Sequence, residues 1–348
     1  MPVGSQFYDG TKLLSLKDIN GDTPELYLCT TNKSGGKTTY FTRLLINRFK
    51  QSKSKFAVLY RFNYELDDCA EKIFKDVQSL FFPDDTMTSE RRSNGIYHEL
   101  FLNEEPCGYA IAINSADQIK KMSHLFSDID RMFFDEFQSE TNHYCPNEVN
   151  KFRAIHTAVA RGQHQHSRYV PVFMCANPVS IINPYYSALG ISARLKKETR
   201  FLRGNGFVLE QGYVEEAATA QKNSAFNKAF GSDSYSAYQE QGVYLNDNEA
   251  FIEKPGGRCR YMATIRYAGT SYGIWEYQEL GIVYASDKID ASFPLKITVS
   301  SADHDVNYIM LKNNSYFLQI LRYYFERGCF RFKDLSCKEA IISVLSLS

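Results

Sequence analysis

A short apolar run, Glu25-Leu-Tyr-Leu-Cys-Thr30, leads directly into Thr31-Asn-Lys-Ser-Gly-Gly-Lys-Thr38, and helical periodicity follows from Lys37 to about Phe49. A strand, a glycine-bearing loop and a helix in that order are what a phosphate-binding loop requires. The spacing fits GxxxxGK(S/T), with Thr31 where that pattern has its first glycine. Gly35 and Gly36 let backbone N–H groups approach phosphate oxygens at a helix N-terminus, Lys37 neutralises β/γ charge, and Thr38 offers a hydroxyl to Mg2+. Asn32, Lys33, Ser34 and Thr39 complete the candidate nucleotide contacts on this loop. Taken alone, the same residues would also suit a surface turn rich in Gly and Ser.

The pattern continues with strands expected at Lys55–Arg61, Asp130–Phe134 and Tyr169–Ala176, separated by segments long enough for crossover helices. A mostly parallel sheet flanked by helices is implied. Between the second and third of these, Ile96–Leu102 and Gly108–Ile113 bracket an Asn-Glu-Glu-Pro turn and predict an inserted hairpin. The third strand runs into Asp135-Glu136. Two adjacent carboxylates at the end of an apolar strand are costly to desolvate unless a cation compensates, the alternative being a solvated strand end. In the first reading Asp135 holds the metal, and Glu136 orients and polarises a water for attack on a γ-phosphate. Asn177, just past the fourth strand, is placed to sense that phosphate, or else caps the turn at Pro178. Arg161, ahead of the fourth strand, is a candidate to reach a neighbouring subunit's nucleotide, with Arg168 as its rival and a solvated loop arginine as the plain alternative. Arg61, after the second strand, is a further candidate nucleotide contact.

Bulk properties narrow the setting. The chain has 348 residues, 44% hydrophobic and 14% aromatic, enough to bury a core in two domains. Its eight cysteines stand without CxxC pairs, which excludes a zinc ribbon or a disulfide scaffold and suits a reducing cytoplasm. No apolar run approaches the roughly 20 residues needed to cross a bilayer, so no membrane partner is expected. Forty basic and forty acidic residues cancel, so any nucleic-acid binding must come from local patches such as Lys50–Lys55, Arg194–Arg203, or Arg322, Arg327, Arg331 and Lys333. His156, His164 and His166 find no ligand partner at metal-site spacing and read as loop surface. From about Thr199 to Asn248 the composition turns to Gly, Ala, Ser, Asn and Gln, as in a lid or linker. Short β-like runs at Ala250–Glu253, Arg258–Tyr267, Tyr272–Glu276 and Leu280–Ala285 follow, then helices near Tyr316–Arg327 and Ser336–Leu347. The expected division is therefore a P-loop domain over 1–198, a lid and linker over 199–248, and a second α/β domain over 249–348.

With these pieces located, the sequence resembles the DNA-encapsidation ATPases of phi29-type tailed phages, relatives of the large terminase subunits. The resemblance rests on the loop and on Phe134-Asp-Glu-Phe137, Tyr144-Cys-Pro-Asn-Glu-Val149, Asn177-Pro-Val-Ser-Ile-Ile-Asn-Pro-Tyr-Tyr186, Phe251-Ile-Glu-Lys254 and Gly273-Ile-Trp275. It implies an additional-strand P-loop ATPase domain followed by an RNase H-like α/β domain, with ATP and Mg2+ as cofactors. It also implies a homo-oligomeric ring, a pentamer, at the portal protein of a procapsid in the host cytoplasm, driving double-stranded DNA inward; whether a packaging RNA takes part is left open. The resemblance favours Arg161 as the arginine finger, and Thr31 departs from the family pattern. In the second domain Arg266 and Tyr267 occupy the strand where a first metal-binding aspartate is expected, leaving Glu276, Asp287 and Asp290 dispersed, so the domain reads as a nuclease relic. The competing readings are an active metal-dependent nuclease on the same motor, and a nucleotide-gated assembly protein with little turnover.

Overall fold

The fold is that of a computed structural model, which describes residues 7–141, 143–161, 167–180, 183–191, 194–195, 199–230, 251–298, 303–310 and 315–346. His164, His166 and the last part of the expected linker, 231–248, lie outside these residues. The chain divides into two units, Met1–Ser180 with Leu195–Leu245, and Ile181–Arg194 with Asn246–Ser348.

The first unit is built on a nine-stranded sheet of β1 (Leu26–Thr30), β2 (Lys55–Tyr60), β3 (Met87–Arg92), β4 (Tyr97–Leu102), β5 (Glu105–Ala112), β6 (Ile129–Asp135), β7 (Val172–Ala176), β8 (Phe201–Gly204) and β9 (Phe207–Gln211), in the order β3-β4-β5-β2-β6-β7-β1-β9-β8. The strands from β9 to β5 in that order pair in parallel, whereas antiparallel ladders join β8 to β9, β5 to β4 and β4 to β3. Central strands covered on both faces read as near-continuous apolar runs, and β1, β2 and β7 do, with Thr30 and Lys55 only at strand ends. β7 lies between β1 and β6, and this is the additional strand of the expected P-loop class. Because all three run the same way, their carboxyl ends deliver the Gly-rich loop, the paired acids and Asn177 to one edge of the sheet.

The Lys37–Ser52 helix holds that edge in place. It buries Phe41, Leu45, Ile46 and Phe49, whose spacing makes one stripe, and Phe41 stacks on Phe133 at 6.1 Å and Phe173 at 5.1 Å between centroids. Burying one such phenyl ring stabilises the fold by about 2 kcal/mol. The helix stops where Lys53 turns left-handed (φ 57°) and donates its N–H to the Phe49 carbonyl.

Three sequence expectations change. The hairpin is real, but its turn is the pair Asn103-Glu104, both left-handed (φ 49° and 66°), and β5 pairs with β2 as a member of the main sheet. β3, too polar to register as a strand, extends it: Glu90 and Arg91 are exposed and Arg92 bridges Glu90 and Glu99 at 2.6 and 2.8 Å. The start of the expected linker is structured, since β9 pairs with β1 and β8 with β9, while Ile181–Arg194 groups with the second unit. Composition misled there because Phe201-Leu-Arg-Gly204 and Phe207-Val-Leu-Glu-Gln211 are short and split by a Gly-containing turn.

The second unit carries a six-stranded sheet of β10 (Arg260–Tyr267), β11 (Thr270–Tyr277), β12 (Ile282–Ser286), β13 (Lys296–Thr298), β14 (Ile309–Met310) and β15 (Phe330–Phe332), in the order β14-β13-β10-β11-β12-β15. An antiparallel meander with parallel strands added beside its first member is the RNase H-like arrangement. Helices Ser315–Glu326 and Leu335–Ser346 contribute Leu321 and Ile341 to its core beside Ile265, Ile274 and Phe330. Of the expected Ala250–Glu253 strand, Ile252 forms an isolated bridge to Phe332, and Ala250 lies outside the described residues.

Candidate functional site

The loop after β1 turns through left-handed backbone into the helix that follows it. Ser34 (φ 61°) and Gly36 (φ 85°) are left-handed, and Gly36 stands at the N-cap of the Lys37–Ser52 helix. Gly35 is needed for space: a β-carbon there would lie 2.7 Å from Thr31 Oγ1. Thr31 is buried and donates Oγ1 to the Asn32 carbonyl at 3.0 Å, and its methyl is accommodated because residue 212, opposite, is also glycine. Asn32, a candidate nucleotide contact, has its side chain turned away to the backbone of a later segment. Its amide is fully buried and spans the Val214 backbone, donating to the carbonyl at 3.0 Å and accepting from the N–H at 2.9 Å, so its side chain fastens the loop to the segment after β9. From the same segment, Gln221 donates to Ser34 Oγ at 3.1 Å. Thr39, half-buried in the first helical turn, follows Thr38.

Around this loop the remaining groups converge. Lys37 Nζ donates to Asn177 Oδ1 at 2.7 Å, and Thr38 Oγ1 donates to Asp135 Oδ2 at 2.8 Å. Asn177 in turn donates to Glu140 at 3.3 Å, and Glu140 lies 3.6 Å from the Lys33 ammonium. Glu136 is held left-handed (φ 55°), with its N–H donated to Asp135 Oδ1 at 3.0 Å. Burial, then the neighbouring Asp135 and Glu140 carboxylates, push the Glu136 carboxyl above the usual glutamate range against the opposing pull of Lys37. A raised affinity for protons suits a group that takes one from water. Lys33, Glu136, Glu140 and Asn177 line a cleft of about 290 Å³.

Arg61, a candidate nucleotide contact, is buried and lines the same cleft. Its Nε faces both Glu148 oxygens at 3.1 and 2.9 Å, and its Nη2 donates to the Glu136 and Phe137 carbonyls at 3.3 and 2.9 Å. Arg161 and Arg168 separate cleanly. Arg168 is buried, donates to the Ile129 and Val159 carbonyls at 3.0 Å each and faces Asp130 at 3.5 Å, which is a structural role. Arg161 is exposed where the Glu148–Ala160 helix ends. His156, expected on a loop surface, sits on that helix with its Nε2 2.9 Å from the Val170 carbonyl and 3.5 Å from Glu25. Glu140, Gln138 and Glu148 escaped the sequence reading. Gln138 accepts the Val179 and Ser180 N–H groups at 3.1 and 2.9 Å and so fixes the turn after Asn177. Glu148 lay inside a quoted motif, but only its buried contact with Arg61 reveals a use.

The other candidate patches are largely self-satisfied. Lys50 pairs with Asp85, Lys53 with Glu105, and Lys55 with Asp128 at 2.8 Å. Arg331 pairs with Glu253 at 2.6 Å, Lys333 with Asp287, and Arg322 donates to the Leu345 carbonyl. In the second unit Glu276 is engaged by Arg260 and Tyr324, and Asp290 by Ser292. Among the described residues, no three His, Cys, Asp or Glu side chains cluster as a metal site would need.

The whole-chain comparison settles the family. A family model described as Podovirus DNA encapsidation protein (Gp16) matches residues 4–345. The chain belongs to this family. Among relatives of this encapsidation protein, the DNA packaging protein of Bacillus phage phi29 is 24% identical over 334 residues, covering 95% of this chain and 94% of that one. The DNA packaging protein of Bacillus phage B103 is 24% identical over 303 residues, 86% and 89% of the two chains. Two solved structures share the fold along almost the whole length. The bacteriophage Phi-29 viral genome packaging motor assembly matches at 22% identity with a TM-score of 0.60, covering 99% of this chain and 100% of that one. The Phi-28 gp11 DNA packaging motor matches at 14% identity with a TM-score of 0.65, covering 99% and 98%.

Proposed function

We propose that this encapsidation protein is an ATP-hydrolysing motor that drives double-stranded viral DNA into a preformed procapsid through the portal vertex, acting as a homo-oligomeric ring, a pentamer, in the host cytoplasm. The observation that carries the reading is the meeting of Lys37, Thr38, Asp135, Glu136 and Asn177 at the carboxyl ends of three adjacent strands. Membership of a DNA encapsidation family and a fold shared with packaging-motor proteins support the direction of the work.

The Gly35-Gly36 loop receives the phosphates, and Lys37 exchanges its bond to Asn177 for the β/γ oxygens. Thr38 and Asp135 put a hydroxyl and a carboxylate oxygen 2.8 Å apart, a hard-oxygen pair of the kind that holds Mg2+. When bound, that ion neutralises charge developing on the phosphates. Glu136 orients the attacking water and takes its proton, and Asn177 positions the γ-phosphate. Arg161, exposed at a helix end, supplies positive charge to a neighbouring subunit's site.

The test is steady-state ATP hydrolysis with and without double-stranded DNA across a protein concentration series. DNA should stimulate turnover, which should rise faster than linearly with concentration. Glu136→Gln and Arg161→Ala should each abolish turnover while nucleotide binding survives. Full activity in Glu136→Gln, or turnover indifferent to DNA and concentration, would remove the motor reading.

A further inference from the structure

Glu136 occupies a backbone conformation that a glutamate adopts only under constraint, since its φ of 55° is in the left-handed region. The backbone N–H and C=O groups of both Glu136 and Phe137 are held. The Glu136 N–H is taken by Asp135 Oδ1 at 3.0 Å and the Phe137 N–H by the Cys175 carbonyl at 3.1 Å. The Glu136 and Phe137 carbonyls both accept from Arg61 Nη2. The first two partners belong to β6 and the adjoining β7. Arg61 does not, and it is fixed from behind.

Glu148 provides that backing. Its side chain is 1% exposed, both its oxygens face Arg61 Nε, and one also accepts the Cys145 N–H at 2.8 Å. The Arg61 guanidinium lies over the Tyr144 ring at 5.0 Å and the Phe134 ring at 5.5 Å. A buried ion pair is a poor source of stability compared with an apolar pair of the same volume, because both ions are desolvated; where it does contribute, it fixes one geometry. The geometry fixed here is the turn that aims Glu136.

We infer that Arg61, locked by Glu148, is a positioning residue that holds the Glu136 backbone in its left-handed turn and so aims the carboxylate at the water attacking ATP. This rests on the hydrolytic role proposed for Glu136. The planar fork is what the task needs: Nε serves the carboxylate while Nη2 serves two carbonyls, and a lysine ammonium, a single point, cannot span both.

The test compares Arg61→Lys, Glu148→Gln and the paired Arg61→Met/Glu148→Met with wild type and Glu136→Gln in the full-length protein. Measured quantities are kcat, KM, thermal midpoint and affinity for a fluorescent ATP analogue. Displacing a reacting group by about 1 Å costs on the order of a hundredfold in rate, so kcat should fall by roughly that factor in all three variants while KM and analogue affinity stay near wild type. The paired variant should retain or exceed the wild-type thermal midpoint, which separates aiming from folding. If the paired variant keeps both stability and kcat, or if Arg61→Lys loses analogue affinity with kcat unchanged, the inference fails, the latter result making Arg61 a nucleotide ligand. If Glu136→Gln itself hydrolyses ATP normally, it is the underlying role of Glu136 that fails.

Discussion

A β-carbon at position 35 would meet Thr31 Oγ1 at 2.7 Å, Val214 Cγ2 at 3.1 Å and the Asn32 carbonyl oxygen at 3.2 Å. Two of these atoms are side-chain tips and the third is backbone, so the loop cannot absorb the methyl without moving the N–H groups meant for phosphate. Gly35→Ala is therefore expected to lose nucleotide affinity by at least tenfold, roughly the effect of 1.4 kcal/mol, and adding Thr31→Gly should recover part of it. Titration with a fluorescent ATP analogue decides this, and unchanged affinity in Gly35→Ala would show that the loop is slack. Asn32 poses a separate question. Asn32→Ala leaves the buried Val214 N–H without its partner and removes one of the two bonds to the Val214 carbonyl, which keeps the Ala218 N–H at 3.1 Å; the unpaired N–H costs about 2 kcal/mol and should lower the urea midpoint accordingly. A midpoint equal to wild type would mean that solvent replaces both bonds.

At the scale of elements, the His156–Glu25 contact ties the Glu148–Ala160 helix to the segment entering β1. Burial lowers the His156 imidazole's proton affinity, but the Glu25 carboxylate and the Val170 carbonyl outweigh it, so its pKa rises above 6.5. For Glu25, burial raises the carboxyl, and the bonds from His156 and the Val170 N–H outweigh that, so its pKa falls below 4.5. The histidine's contribution is complete below pH 6.5 and lost as pH climbs through its raised value. The glutamate's is complete above pH 4.5 and lost as pH drops through its lowered value. Stability from this contact should thus be greatest between those values, and His156→Gln should flatten the decline on the alkaline side in urea unfolding across the range. An unaltered profile would place the alkaline decline elsewhere. Such a contact was beyond the sequence, because Glu25 and His156 are far apart in the chain and only the β1–β7 pairing brings their surroundings together. What could be read was what repeats locally: the strand, loop and helix at 25–52, the acids closing β6, and Asn177 closing β7. Arg61 is legible as a residue beside the site because it follows β2 directly, whereas its bonds to Glu148 and to the Glu136 and Phe137 carbonyls depend on the direction of a buried guanidinium, which the sequence does not carry. β8 and β9 are hidden in a Gly- and Ala-rich background because β9 is a strand through its pairing with the open edge of β1, 181 residues away (Leu26 with Phe207), and β8 through its pairing with β9.

For the whole molecule, the ring reading makes a demand that single variants do not. Glu136→Gln leaves Arg161 intact, and Arg161→Ala leaves Glu136 intact. If the arginine acts across subunits, mixing the two inactive proteins builds some interfaces with both groups wild type, and hydrolysis should reappear on mixing. If it acts within its own subunit, the mixture stays as inactive as its parts, so the assay tests assembly and chemistry together.

The borders of the first sheet bear on how copies of this chain meet. One border is β3, with exposed Glu90 and Arg91 and the Arg92 bridges to Glu90 and Glu99; the other is β8, only four residues long. Neither offers another chain a long, flat, apolar ladder of unpaired N–H and C=O groups. Self-association by strand addition, the route to open-ended fibres, is thereby discouraged. At this sheet, contacts between copies in the proposed ring would fall to side-chain surfaces, which can close on themselves and stop at a fixed number.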